Sequence, residues 1–167
     1  TILGAGAYAL ALSEMFLKNN CQITLWTKIL EEKEMIERER CNKKVFPNYK
    51  IDEKINVTTD MEEAIKNANV IVIAVPVKFV ESTVMLLSKY YQSNQHICIA
   101  SKGIEQENCL FINEIVNKYI ETENLCVISG GSFAVDIISL VPVGLTLASK
   151  CSHTVEIMKK TLENDYL

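Results

Sequence analysis

Thr1-Ile2-Leu3-Gly4-Ala5-Gly6-Ala7-Tyr8-Ala9 is the stretch whose reading decides the fold: an apolar lead-in, two glycines and a small residue at G-x-G-x-x-(G/A) spacing. It reads as a strand turning into a helix over a phosphate. Gly4 permits a tight turn, Gly6 lets backbone approach a pyrophosphate with no Cβ in the way, and Ala9 is small enough for the helix to pack on the strand. The anion would sit at the helix N-terminus, where N–H groups without partners and the helix dipole favour negative charge. Gly-Ala-Gly also occurs in ordinary turns, so the motif counts only in a strand-turn-helix setting. Leu10, Leu12, Met15, Phe16 and Leu17 supply that setting, an apolar face at helical spacing that runs to Asn19-Asn20.

Outward from this turn, strands and helices alternate. Gln22 to Trp26 is a second short strand and Glu31 to Arg40 a highly charged, solvated helix. Phe46-Pro47-Asn48 is a loop, Ile55 to Thr58 a third strand, and Asp60 caps a helix carrying Ala64, Ile65 and Ala68. Val70 to Val75 is a continuous β-branched run stopped by Pro76; a strand apolar at every position is covered on both faces, the mark of a parallel sheet wrapped by helices. A helix over Phe79 to Tyr91, a strand over Ile97 to Ala100, a helix from about Cys109 to Ile120 and a strand over Leu125 to Ile128 follow. Gly144 to Ser149 is the last strand and Val155 to Leu162 the last helix. Such repeated units with short connections predict an α/β fold with a doubly wound, mostly parallel, Rossmann-type sheet, one dinucleotide-binding domain over residues 1–167.

Composition narrows the function classes. With 167 residues and 49% hydrophobic content the chain can build one substantial core, and no apolar run is long enough for a membrane span. A net charge of −4 with dispersed lysines argues against nucleic acid and anionic membranes as partners, so any anion must be caught locally. The six cysteines form no C-x-x-C pair and have no histidine at metal-ligand spacing, which predicts reduced thiols, no metal site and a cytoplasmic protein.

In doubly wound sheets ligands bind outside the carboxyl ends of the strands. Four such ends carry unusual residues here: Gly4 to Ala9, Pro76 to Phe79, Ser101 to Gly103 and Ser129 to Ser132. Lys102, between a hydroxyl and a glycine at a strand end, suits a phosphate contact or a proton relay. Ser129-Gly130-Gly131-Ser132 suits a backbone cradle for an anion, although a plain turn uses the same residues. The second strand ends in Trp26-Thr27-Lys28 where NAD sites carry an acid, so Lys28 could meet a 2′-phosphate and NADP is accepted; the alternative is that Glu31 or Glu32 supplies the acid from the helix. Gly-x-Ser-x-Gly is absent, and His96 and His153, the only histidines, lie away from these turns, which argues against a serine-hydrolase triad.

Taken in order, the blocks Gly4-Ala5-Gly6-Ala7-Tyr8-Ala9, Leu25-Trp26, Arg40-Cys41-Asn42 leading to Phe46-Pro47, Val57-Thr58-Thr59-Asp60, Ala74-Val75-Pro76, Ala100-Ser101-Lys102-Gly103, Ile128-Ser129-Gly130 with Ser132-Phe133-Ala134, and Leu147-Ala148-Ser149 resemble the N-terminal domain of bacterial NAD(P)-dependent glycerol-3-phosphate dehydrogenase. The resemblance covers essentially the whole chain. It implies that Ala7 and Tyr8 contact the pyrophosphate, that Lys28 lies near the adenosine ribose, and that Ala134 touches the cofactor, NADP or NAD. It further implies Lys102 between cofactor and substrate, with Gly130 and Ser132 lining a site for a small phosphorylated substrate.

The implied reaction is reversible hydride transfer between NAD(P)H and dihydroxyacetone phosphate, giving sn-glycerol 3-phosphate for phospholipid synthesis. In the family a helical C-terminal domain brings the acid/base lysine and much of a homodimer surface. The resemblance therefore implies a fragment that holds cofactor, contains no catalytic residue and does not turn over alone. Departures from the family pattern are Ala9 for a third glycine, Gly131 for proline, Lys78 for a polar residue and Val135 for an acidic or polar one. A stand-alone dinucleotide-binding regulatory module and another two-domain NAD(P)-dependent reductase are the competing readings; Lys102 and the Gly130 to Ser132 segment speak against the module, which needs no substrate phosphate site.

Overall fold

Val70-Ile71-Val72-Ile73 lies in the middle of the molecule, and its alternate side chains enter two separate cores. The computed structural model describes all 167 residues. Val72 packs with Ile2, Leu25, Cys98 and Cys126 on one sheet face, while Ile71 and Ile73 pack with Leu3, Trp26, Ile97 and Ile99 on the other. Period-two alternation on strands that are apolar throughout is what builds a sheet with helices on both sides.

The elements are β1 (Ile2–Leu3), α1 (Ala7–Lys18), β2 (Ile23–Trp26), α2 (Leu30–Glu39), β3 (Ile55–Thr58), α3 (Met61–Ile65), β4 (Val70–Ile73), a 3₁₀ turn (Val77–Phe79), α4 (Val80–Leu87), β5 (His96–Ile99), α5 (Ile112–Tyr119), β6 (Leu125–Ser129), α6 (Ala134–Ile138), β7 (Thr146–Ser149) and α7 (Ser152–Leu162). They form one seven-stranded sheet in the order β3-β2-β1-β4-β5-β6-β7. Strands β1 to β6 are parallel and β7 pairs antiparallel to β6. Chain order reverses between β1 and β4. A crevice at the carboxyl ends follows from that reversal, because the connections from β1 and β4 leave toward opposite faces of the sheet.

Local chemistry places the ends. Helix α1 buries Leu10, Leu12 and Met15 completely, contributing roughly 1.5–3 kcal/mol each to its docking. Helix α2 stops where Arg40 turns left-handed at φ 51°, and the Arg40 guanidinium donates to the carbonyls of Ile51, Asp52 and Ile55, tying the following loop to β3. Asp60 caps α3, its Oδ1 accepting Glu63 N–H at 3.1 Å.

Helix α4 ends at Leu87 rather than Tyr91 and α7 begins at Ser152 rather than Val155; α5 and α6 also differ from the sequence-based expectation. Helix α5 begins at Ile112 rather than near Cys109, because Cys109 is left-handed at φ 56° and the Glu114 carboxylate accepts the Phe111 N–H at 2.7 Å. Helix α6 was not anticipated; in five residues only Ile137 is buried, too little for a helical period to register.

Candidate functional site

The glycine turn is the floor of the site. Gly4 donates its N–H to Trp26 O at 2.7 Å and has φ 126°; a Cβ there would sit 3.1 Å from Ala74 O. Glycine is therefore demanded twice, by backbone angle and by the approach of β4. Gly6, the N-cap of α1, is different: its φ of −76° and ψ of 179° suit any residue, and a Cβ would meet no protein atom within 4 Å. The space it leaves open is the cleft itself. The first backbone bond of α1 is Leu10 N–H to Gly6 O at 3.0 Å, so the amides of Ala7, Tyr8 and Ala9 have no helical acceptor. No acidic residue stands in that first turn. A helix end of this kind, facing open space, binds anions.

Asn42 holds the turn from behind. Its side chain is 1% exposed, its Nδ2 donates to Ala5 O at 2.9 Å, and its Oδ1 accepts the Lys44 N–H at 3.1 Å. The sequence marks Asn42 within the Arg40-Cys41-Asn42 block but gives it no role; only the fold brings it beneath the glycines.

The cleft above the turn has a volume of about 810 Å³ and runs across the carboxyl ends of β1, β2, β4, β5 and the segment after β6, with Gly4, Thr27, Ala74, Ala100 and Ser132 in its wall. Ala7, Tyr8, Lys28, Lys102 and Ala134 line it as well. At the β5 end three side chains converge. The Lys102 ammonium lies 4.9 Å from the centre of the Tyr8 ring and 3.5 Å from Ser132 O. Tyr8 Oη lies 3.4 Å from the buried Ser132 Oγ. Burial pushes the Tyr8 phenol above its ordinary value of 10.0, against the opposing hydrogen bond from Ser132, so Tyr8 remains neutral in the physiological range. Lys102 makes no ion pair, which leaves its charge free for a ligand. Its loop is fixed by Ser101, whose Oγ donates to Val75 O at 2.6 Å and Ile73 O at 3.2 Å.

At the β2 end one of the two helix acids that the sequence offers as an alternative, Glu32, stands in the cleft wall. Glu32 lines the cleft together with Lys28, and Thr27 Oγ1 donates to Glu32 Oε2 at 2.7 Å. Glu31 is exposed and is not in the cleft wall. Pro76 and Phe79, from the strand end that the sequence singles out, complete the wall with Ser82 and Thr83 of α4, which sequence spacing does not reveal.

Gly130, which the resemblance puts at the substrate site, is not in the wall of this cleft; a Cβ there would lie 2.6 Å from Gly144 O, so the close return of the chain into β7 requires glycine. Of the Ser129 to Ser132 segment only Ser132 reaches the cleft.

A seven-stranded sheet with this order, a reversal at β1/β4 and a glycine turn opening a helix at that point define the dinucleotide-binding class of α/β domain. The residues present fit such a ligand: the open space at Gly6, the free amides of α1 and the cleft volume all match an extended molecule with a central diphosphate. Residues 1–155 match the family described as NAD-dependent glycerol-3-phosphate dehydrogenase N-terminus, and the chain belongs to that family. It is 30% identical over 168 residues to glycerol-3-phosphate dehydrogenase [NAD(P)+] of Wigglesworthia glossinidia brevipalpis, covering 100% of this chain and 51% of that protein. The corresponding protein of Agathobacter rectalis is 30% identical over 98% of this chain and 49% of its own length. The chain thus spans about half the length of the curated relatives it matches. Its fold superposes on glycerol-3-phosphate dehydrogenase of Coxiella burnetii with a TM-score of 0.91 at 22% identity, over 99% of this chain and 50% of that one. No helix is long and apolar enough to cross a membrane, and no group of three or more His, Cys, Asp or Glu side chains is placed to hold a metal ion.

Proposed function

We propose that residues 1–167 form the cofactor-holding domain of an NAD(P)-dependent glycerol-3-phosphate dehydrogenase, a cytoplasmic, homodimeric enzyme that interconverts dihydroxyacetone phosphate and sn-glycerol 3-phosphate. The observation that carries this is the pairing of a glycine turn at the strand-order reversal with an unpaired Lys102 across the same cleft. When bound, the nicotinamide dinucleotide supplies or accepts the hydride. The amides of Ala7 and Tyr8 hold its diphosphate charge, and the small Ala134 leaves room along the wall. Lys102 donates a charge-assisted hydrogen bond to a substrate oxygen, stabilising negative charge that grows there as the carbonyl is reduced. Ser132, held against Tyr8, presents a hydroxyl on the substrate side, and the neutral Tyr8 ring beneath Lys102 steadies the ammonium without cancelling its charge.

An acid/base group must protonate the new alkoxide; in this reading Lys102 holds the charge on that oxygen as a hydrogen-bond donor, and the proton comes from a separate group. The second half of a protein as long as the relatives supplies that group and covers the cleft from water. The test is dihydroxyacetone phosphate-dependent oxidation of reduced cofactor, measured for this chain alone and for a protein carrying both halves. Turnover confined to the longer protein is expected, since acid–base assistance is worth about 10²–10⁴-fold and lost positioning more. Steady turnover by the 167-residue chain, or none by the longer protein, contradicts the reading.

A further inference from the structure

Glu32 is the one carboxylate in the wall of the cleft, and its surroundings leave its charge unanswered. Thr27, 3% exposed at the end of β2, accepts the Ile29 N–H at 3.2 Å through the same Oγ1 that donates to Glu32 Oε2 at 2.7 Å. A hydroxyl has one proton, and here the Ile29 amide claims a lone pair, so that proton is directed to the carboxylate. Glu32 is thereby fixed at one oxygen. Its Oε1 has no hydrogen-bond partner in the chain, and no lysine or arginine pairs with it. Lys28, the only cation at this end, is exposed and bonded to nothing.

We propose that Glu32, positioned by Thr27, reads the adenosine ribose of the dinucleotide and makes this domain select NAD(H) over NADP(H). The proposal rests on the dinucleotide reading above. A ribose 2′-hydroxyl can donate to the free Oε1, completing a carboxylate that is otherwise half satisfied. A 2′-phosphate brings up to two negative charges and no donor to the same place, so it meets a repulsive group that cannot swing away without breaking the Thr27 bond. Lys28 could offset this only by leaving solvent and ordering a long side chain, for which the structure provides no anchor. A fixed, partly desolvated carboxylate outweighs a free lysine, and the electrostatic balance at this end is set by Glu32.

Calorimetric titration with NADH and NADPH separates the possibilities, using the wild-type chain, Glu32→Gln, Thr27→Val, Lys28→Ala and Glu31→Gln as an off-cleft control. Wild type is expected to bind NADH at least about tenfold tighter than NADPH. Glu32→Gln is expected to lower that ratio by about tenfold or more, weakening NADH and strengthening NADPH. Thr27→Val moves the ratio the same way by less, because the charge remains but wanders; Glu31→Gln leaves it unchanged. Melting temperatures of each variant show that the fold is intact. NADPH binding as tight as NADH in wild type, or a ratio that responds to Lys28→Ala and not to Glu32→Gln, overturns the proposal while leaving dinucleotide binding standing. Folded protein that binds neither cofactor overturns both.

Discussion

Lys102 stands at the carboxyl end of β5 with its ammonium over Tyr8 and no carboxylate to neutralise it. In a protein with both halves, Lys102→Ala is expected to reduce kcat/KM for dihydroxyacetone phosphate about tenfold to a hundredfold, the value of one charge-assisted hydrogen bond, with cofactor affinity nearly unchanged. Steady-state kinetics beside a cofactor titration checks the split; a loss confined to cofactor binding moves Lys102 to the cofactor side. Asn42 makes the complementary case, a residue that touches no ligand. Asn42→Ala strands the Ala5 carbonyl and is expected to cost about 1–3 kcal/mol in urea denaturation while weakening dinucleotide binding. Asn42→Asp, of the same shape but unable to donate to Ala5 O, is expected to behave no better. At this scale the sequence is uneven as a guide. Tyr8 and Lys102 are legible as cleft residues because they sit inside or beside glycine turns at strand ends; Glu32 is legible only as one of two acids until its local bond to Thr27 is seen, and the Asn42 clamp depends on a contact made across the fold. Gly130 has a second demand that the sequence does not show: its missing Cβ lets the chain before β7 approach, with Gly144 O 2.6 Å from where that Cβ would lie.

Helix α1 and the turn before it offer a sharper separation, because the two glycines serve different ends. Gly4 is required by the fold: Gly4→Ala forces a left-handed angle of φ 126° on alanine and presses a methyl toward Ala74 O, and is expected to destabilise by about 1–3 kcal/mol. Gly6 is required only by the ligand. Gly6→Val finds ordinary backbone angles and empty space and loses only the preference for glycine over valine at an N-cap, so it is expected to cost about 1 kcal/mol or less and to leave the chain folded. Both elements of this unit were readable, since β1 is apolar and α1 repeats its apolar face over three turns. Helix α6 was not, although it packs beside α1, because five residues with one buried side chain carry no period. The start of α5 was misplaced for a related reason: a left-handed Cys109 leaves no mark on hydrophobic spacing.

Over the whole molecule, the mostly parallel sheet with a core on each face is legible from the continuous apolar run of β4, whereas the strand order and the antiparallel β7 leave no mark on hydrophobic spacing. One titrating cluster lies far from the cleft, at the amino end of the strands. His96, 5% exposed at the start of β5, shares Nδ1 with Thr154 Oγ1 at 2.9 Å and packs edge-on against His153 at 5.4 Å. Burial, with the neighbouring His153, holds His96 below its ordinary value of 6.5. Its neutral form is the folded one, so its stabilising contribution is complete above pH 6.5 and is lost as pH falls through the lower folded value. The melting temperature is expected to fall as pH drops from neutral to about 5.5, and to fall less in His96→Asn. A pH dependence identical in the two proteins contradicts this assignment. The central claim, that the crevice at the strand-order reversal is a dinucleotide site, is tested most directly by calorimetric titration of the chain and of Gly6→Val with NADH. Saturable binding with one site per chain, weakened at least about tenfold in a variant that is folded at the temperature of the titration, is the predicted result. Equal binding by the two proteins, or none by the folded wild type, would contradict it.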